Sequence, residues 1–388
     1  MAGLDSTRRN RPPFRADHVG SLLRPDRLKA ARERLLGPQL SDTNLGPHGN
    51  AELAAIEDAC IRDVIALQER AGLRVVTDGE LRRRSWWLEL IMSWDGFAAD
   101  RTGTTDLAWR SSGGAQQPFS RLWVNAPIRR RGASPIVRAF EFLKSNSRAV
   151  PKVTLPAPIM IHVMAGGNAG VEQGYYSRAE DFWTDLTAAY RAELAELVAA
   201  GATYIQLDDT SIAFLCDPTL RPTFVRWGHD PDELLVEYAE RINAVVAGLP
   251  QHVSVTLHQC RGNREGFWAA EGGYDPVADV MFNRIDVAGF FLEYDSARAG
   301  GFTPLRHLPA GKVVVLGLVS SKTPQMETAD ALKRRIEEAA RFTPLDRLAL
   351  SPQCGFASSL KGNPLTEQQQ EAKLALICAV AHEVWGEA

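Results

Sequence analysis

A chain of 388 residues with 45% hydrophobic and 23% charged residues has ample apolar material for a large core, and its net charge of -3 offers nothing to nucleic acid or an anionic membrane. No apolar run approaches the ~18 residues of a membrane span, and the opening stretch "MAGLDSTRRNRPPF" has no apolar leader core. Five scattered cysteines fit reduced thiols rather than a disulfide framework, so a soluble cytoplasmic protein is expected.

In chain order, "FRADHVGS" (14–21) predicts a first strand, and Ile56, Cys60, Val64 and Leu67 form a helical stripe over 51–71 that Gly72 ends. "LRVVTDGE" (73–80) predicts a second strand and "APIMIHVMAGG" (157–167) a third. A patterned helix over 178–200 stops at Gly201, followed by strand four, "ATYIQLDD" (202–209), and a helix over 231–248. "HVSVTLHQC" (252–260), "VAGFFLEYD" (287–295), "KVVVLGLVSS" (312–321) and "RLALSPQCG" (347–355) complete the strands, with helices near 326–341 and 366–384. Eight strand-like segments in βα alternation predict an α/β fold, a (β/α)8 TIM barrel occupying 1–388 as a single domain. A doubly wound open sheet is the alternative, but no Gly-rich dinucleotide turn follows the first strand.

Residues 85–150 break the rhythm. They hold Trp86, Trp87, Trp94, Trp109 and Trp123 without a clear period, and read as an insertion after strand two, partly hairpin, over one barrel end. Those tryptophans suit either stacking on a flat ligand or packing the insertion down.

Barrel chemistry sits where strands end. His18 and Ser21 end strand one, Glu80 strand two, Asp208 strand four, His258 and Cys260 strand five, Glu293 strand six and Cys354 strand eight. Lys322 follows strand seven at the same mouth, where it reads as a contact for an anion or a leaving group. His18 is either a substrate contact or a packed strand-end residue, and His162 reads as a contact on the donor side. Alternate residues of a strand share a face, so His258 and Cys260 can reach one ion. One His, two Cys and one carboxylate suit Zn2+. Two thiolates and a carboxylate leave that ion a poor Lewis acid for making hydroxide but a good holder of a substrate thiolate, which points to alkyl transfer to sulfur.

"HVGSLLRP", "VVTDGE", "IQLDD", "LHQC", "FFLEYD" and "LSPQCGF" together resemble, in order, the catalytic barrel of cobalamin-independent methionine synthases and their short single-barrel relatives, over about residues 14 to 384. The resemblance implies zinc on His258, Cys260, Glu293 and Cys354. It also implies that Ser21, Glu80 and Asp208 hold the amino acid part of homocysteine, with a methylated folate or simpler methyl donor as second substrate. The family's strand-three Trp gives way to His162, Val163 and Met164, its "DEP" to "DDTS", and a His after strand seven to Lys322. Alkylation of coenzyme M by epoxides is the nearest rival chemistry. A metal-free decarboxylase of the same fold and a non-catalytic zinc-binding protein are the others.

Overall fold

The computed structural model describes residues 9–37 and 50–388. Residues 1–8, part of the stretch read for a leader, lie outside the described residues. Six parallel strands form the main sheet in the spatial order β10-β9-β8-β7-β6-β5. They are β5 (Val153–Pro156), β6 (Tyr204–Asp209), β7 (Ser254–Gln259), β8 (Gly289–Glu293), β9 (Val313–Val319) and β10 (Leu348–Pro352). Every residue of β8 and β9 is buried, as expected where a parallel sheet is covered on both faces. Helices Ala51–Arg70, Ala179–Ala199, Pro231–Val246, Ala329–Ala339 and Glu367–Trp385 match the predicted ones. Their starts follow from local chemistry: Asn50 and Asp230 accept from the first-turn N–H groups, and Thr366 forms a capping box with Gln369.

Three expectations need correction. The first strand shrinks to one parallel bridge, Ala16 to Leu350, and the second to β1 (Val75–Val76), which pairs with β4 (Val150–Pro151). The third is misplaced. Residues 157–167 contain the helix Pro158–Ala165, and the strand is β5, just upstream. The cause is compositional: a helix buried all round is apolar at every position, so its sequence carries no period to separate it from a buried strand, while Pro158 suits a first helical turn.

Within 85–150 the chain forms a long antiparallel hairpin, β2 (Trp94–Arg110) and β3 (Gln116–Arg130), and a helix, Pro135–Asn146, capped by Ser134. The hairpin is anchored through a backbone exchange between Arg110 and Trp268, at 2.7 and 3.0 Å. That exchange fixes it to the loop following β7.

The segment around Ala16 has little ladder to hold it, and buried polar groups take over. Lys152, between β4 and β5, donates to Asp17 Oδ1 at 2.8 Å, to Gln206 Oε1 at 3.1 Å and to the His18 carbonyl. Tyr204 donates to the other Asp17 oxygen at 2.8 Å. Gln206 donates to the Val19 carbonyl at 2.6 Å and to Asp208 Oδ1 at 2.7 Å. Lys152 and Asp17 have no exposed side-chain surface. Lys152→Met leaves Asp17 buried without its counter-charge, and chemical denaturation should report a loss of about 3–5 kcal/mol. Adding Asp17→Leu should recover part of it; a loss that grows instead would mean that the pair is not coupled.

Candidate active site

The strand ends open into one cavity. Ser21, Glu80, Asp208, His258, Cys260 and Cys354 all line it. His258 sits in register between Asp208 on β6 and Phe291 on β8, Cys260 follows one pleat later, and Cys354 lies just past β10. The ligand-capable atoms of His258, Cys260 and Cys354 lie within 4.8 Å of one another, all three side chains buried. Both ring nitrogens of His258 are buried without a hydrogen-bond partner. Neighbouring Cys260 and the His258 imidazole hold Cys354 well below the ordinary thiol range against the effect of burial.

Glu293, the last residue of β8, is adjacent but outside that group. Its oxygens accept from the Arg261 N–H at 2.7 Å and from Lys322 Nζ at 2.8 Å. Burial alone would raise its pKa, but the Lys322 ammonium and the Arg261 contacts outweigh it and bring the carboxyl down to about 2. Lys322 does not line the cavity; it is buried against Glu293, which accounts for its position better than a contact with a leaving group does.

Glu80 occupies a turn at φ 57, a conformation costly for a side-chain-bearing residue. Its N–H donates to Asp78 Oδ1 at 2.9 Å, the Gly79 carbonyl accepts from Leu22 at 3.0 Å, and Arg24 donates to the Glu80 carbonyl at 3.1 Å. The carboxylate accepts from Thr154 Oγ1 at 2.7 Å through one oxygen, and the other is buried and unpartnered. Burial raises the Glu80 pKa against the pull of Arg83, and burial pushes Asp208 up to about 7 although His258 opposes it. Ser21 packs against Gly355 so closely that a Cβ there would fall 1.9 Å from Ser21 Oγ. A side chain at position 355 would have to displace the Ser21 hydroxyl.

The structure does not bring His18 or His162 to the cavity lining. The His18 ring is buried beside Val75 and Gln68. His162 is fully buried in the helix Pro158–Ala165, with one ring nitrogen 3.0 Å from the Tyr238 hydroxyl and the other 2.9 Å from Asn168 Oδ1. Both ring nitrogens are therefore occupied, which removes His162 from a donor contact. Conversely, sequence reasoning missed Asn263, which lines the cavity and donates to the Gly355 carbonyl at 2.9 Å. It did not single out Phe119 and left Trp109 between stacking on a ligand and packing; both hairpin residues line the cavity. A lone Asn in a loop has no signal, whereas the aromatic density of the insertion did.

Comparison with known proteins agrees with this architecture. A family model described as the catalytic domain of cobalamin-independent synthase matches residues 38–382. YxjG, an uncharacterized protein of Bacillus subtilis (strain 168), is 39% identical over 98% of this chain and 97% of its own length. A methionine synthase of Pyrococcus abyssi is 28% identical over 78% of this chain and 76% of its own. A crystal structure from Listeria monocytogenes, provisionally named a vitamin-B12-independent methionine synthase, superposes with a TM-score of 0.73 at 33% identity, covering 98% of this chain and 100% of that one.

Burial first, and His229 second, lower the His162 pKa to about 3. A buried neutral imidazole stabilises the fold fully above the unfolded-state pKa near 6.5, and its contribution is lost as pH falls from there toward about 3. Replacing His162 with Asn should flatten the pH dependence of stability in that window by up to one proton, about 1.4 kcal/mol per pH unit. Denaturation midpoints across the window test this, and parallel profiles would refute it.

Proposed function

Because the chain belongs to the cobalamin-independent synthase family, a family of methyltransferase enzymes, we propose that it is a zinc-dependent enzyme that methylates a thiol, with homocysteine as acceptor. One observation carries this reading: the buried His258, Cys260 and Cys354 group opens into the same cavity as Glu80 and Asp208. We read the strands as a closed (β/α)8 barrel in a single domain, with 85–150 inserted over the end that bears the site. The Ala16–Leu350 bridge and the bond from Leu22 to Gly79 support closure on either side of the first segment.

An imidazole and two thiols, with the His258 nitrogens left unpartnered by the protein, fit zinc. His258, Cys260 and Cys354 would hold it, with Glu293 beside them as the fourth candidate. Bound there, zinc would keep a substrate sulfur in its nucleophilic thiolate form near neutral pH. Lys322 is then a positioning residue that holds Glu293 ionised. Glu80 and Asp208 receive the ammonium of the amino acid acceptor, and the Ser21 hydroxyl its carboxylate. These contacts orient the thiol toward the cysteines and keep water from the reacting sulfur. A zinc-storage protein would have no use for such carboxylates. Coenzyme M, whose only charged group is a sulfonate, would meet them unfavourably.

Cys354→Ser and His258→Ala should each abolish tight zinc binding, read as metal per chain after dialysis, while circular dichroism stays close to wild type. Glu293→Gln should weaken zinc retention less. Full zinc stoichiometry in the first two variants would remove the ligand assignment.

Asp208→Asn keeps shape and deletes charge. Homocysteine binding should weaken about tenfold or more, the equivalent of ~1.5–3 kcal/mol for a lost charge-assisted hydrogen bond, and coenzyme M binding should change little. Equal responses of the two thiols in titration calorimetry would rule out the amino acid pocket.

A further inference from the structure

We infer that Asn263 selects the methyl donor: its side-chain oxygen accepts an N–H group from the exocyclic amino group of a reduced pterin. The inference rests on the thiol-methylation reading above and names a residue that recognises the second substrate of that site. Asn263 lines the cavity, is 4% exposed, and holds its Oδ1 buried without a partner. A buried acceptor left unpaired is costly, so such an atom calls for a ligand or another explanation. The orientation of the amide is fixed by its other end. Nδ2 donates to the Gly355 carbonyl at 2.9 Å, a group that can only accept, and to Ser321 Oγ at 3.4 Å. The Ser321 hydroxyl already gives its hydrogen to Gln353 Oε1 at 2.6 Å, so it too meets Asn263 as an acceptor. Turning the amide over would set its oxygen against both. Asn363 supplies the contrast. It donates to the Ser321 carbonyl at 2.7 Å and accepts from the Gly266 N–H at 3.2 Å, so both ends of its amide are spent within the protein, and it is not part of the cavity lining.

The partner of that oxygen has to be a hydrogen-bond donor, and homocysteine has none to spare. Its sulfur goes to the cysteine and histidine group, its ammonium to Glu80 and Asp208, and its carboxylate to Ser21. The carboxylate seat is the one nearest Asn263: Gly355, whose carbonyl Asn263 holds, abuts Ser21 Oγ. A carboxylate and an amide oxygen are both acceptors and repel, so Asn263 serves the other substrate. A reduced pterin supplies the complement, because its amino group projects from the ring edge with two N–H groups. The surroundings suit such a ring. Trp86 and Trp109 line the same cavity and can stack on a flat heterocycle. The Ser359 hydroxyl, also in the lining, is buried and unpartnered and can meet either a ring N–H or a ring carbonyl. Asn263 moves no proton in this scheme; it binds the donor and orients it.

The test uses zinc-loaded protein saturated with homocysteine, and tetrahydrofolate, which lacks the methyl group and so allows no turnover. Its counterpart is 2-desamino-2-methyltetrahydrofolate, which puts a methyl of similar size where the amino group stands. Calorimetry should show tetrahydrofolate binding about tenfold or more tightly than this analogue. Asn263→Ala should bring the ratio close to one, with homocysteine affinity close to wild type. A general loosening of the loops would weaken both folates alike and leave the ratio untouched, so the ratio separates recognition from support. Asn363→Ala, which breaks the neighbouring loop contact away from the cavity, should keep it. If Asn263→Ala does not fold, Asn263→Ser, which retains a hydroxyl toward Gly355 but lacks the amide oxygen, carries the same comparison. Tetrahydrofolate that fails to bind, equal binding of the two folates by the wild type, or a ratio that survives loss of the amide oxygen would overturn the inference. Homocysteine binding that persists through any of these failures leaves the thiol-methylation reading standing, whereas a wild-type protein that binds no homocysteine would remove that reading first.

Discussion

The architecture depends on a buried ammonium. Lys152 lies where the first segment of the chain, β5 and β6 meet, and its hydrogen bonds to Asp17, the His18 carbonyl and Gln206 replace the ladder that the first segment lacks. A pair of this kind contributes little net stability, since desolvation offsets most of its attraction, but breaking one half is costly. Its effect is to fix register. Gln206 extends the same network to Val19 and Asp208, so one chain of hydrogen bonds positions both the backbone before Ser21 and the carboxylate at the cavity floor.

Charge placement around the cavity follows one pattern. Cations sit behind the acids rather than in front of them: Lys322 behind Glu293, and Arg83 3.5 Å from Glu80, with Arg24 bonded to the Glu80 backbone. Each acid is supported from the protein side; Glu80 and Asp208 line the cavity, while Arg261 and Lys322 take both Glu293 oxygens. Glu293, with a direct ammonium partner and a backbone N–H, stays ionised; Asp208, supported by an amide, is pushed up by burial to about 7. Glu293 on β8 and Asp208 on β6 thus differ by what stands behind them.

Much of this was legible in the sequence, unevenly. Strands such as β7 and β9 announce themselves by β-branched runs between turn residues, and the sequence places His258, Cys260, Glu293 and Cys354 at strand ends from position alone. The structure brings three of those four side chains together and turns Glu293 toward Lys322. That outcome depends on a tertiary pairing that no local pattern encodes. The helix Pro158–Ala165 was unreadable as a helix because every one of its residues is buried. The first strand was overestimated because burial, rather than ladder pairing, made its sequence look strand-like. The hairpin defeated periodicity because its register shifts repeatedly between Asp95 and Ala108, breaking the alternation on which a strand reading relies.

The contact between Ser21 and Gly355 has a consequence for biosynthesis. Its two halves are far apart along the chain, as are Ala16 and Leu350 in the adjoining bridge. A ribosome adding roughly 5–20 residues per second emits the first segment long before its neighbour at β10 exists. Until then that segment is held through Thr77 and Gly79, which bond Gly20 and Leu22, and later through Lys152, Tyr204 and Gln206. The nascent chain therefore lacks the β10 partner of this segment through most of its synthesis, a state open to chaperones and to misassociation. The part of the cavity lined by Ser21 and Gly355 comes into being only once the chain has passed β10.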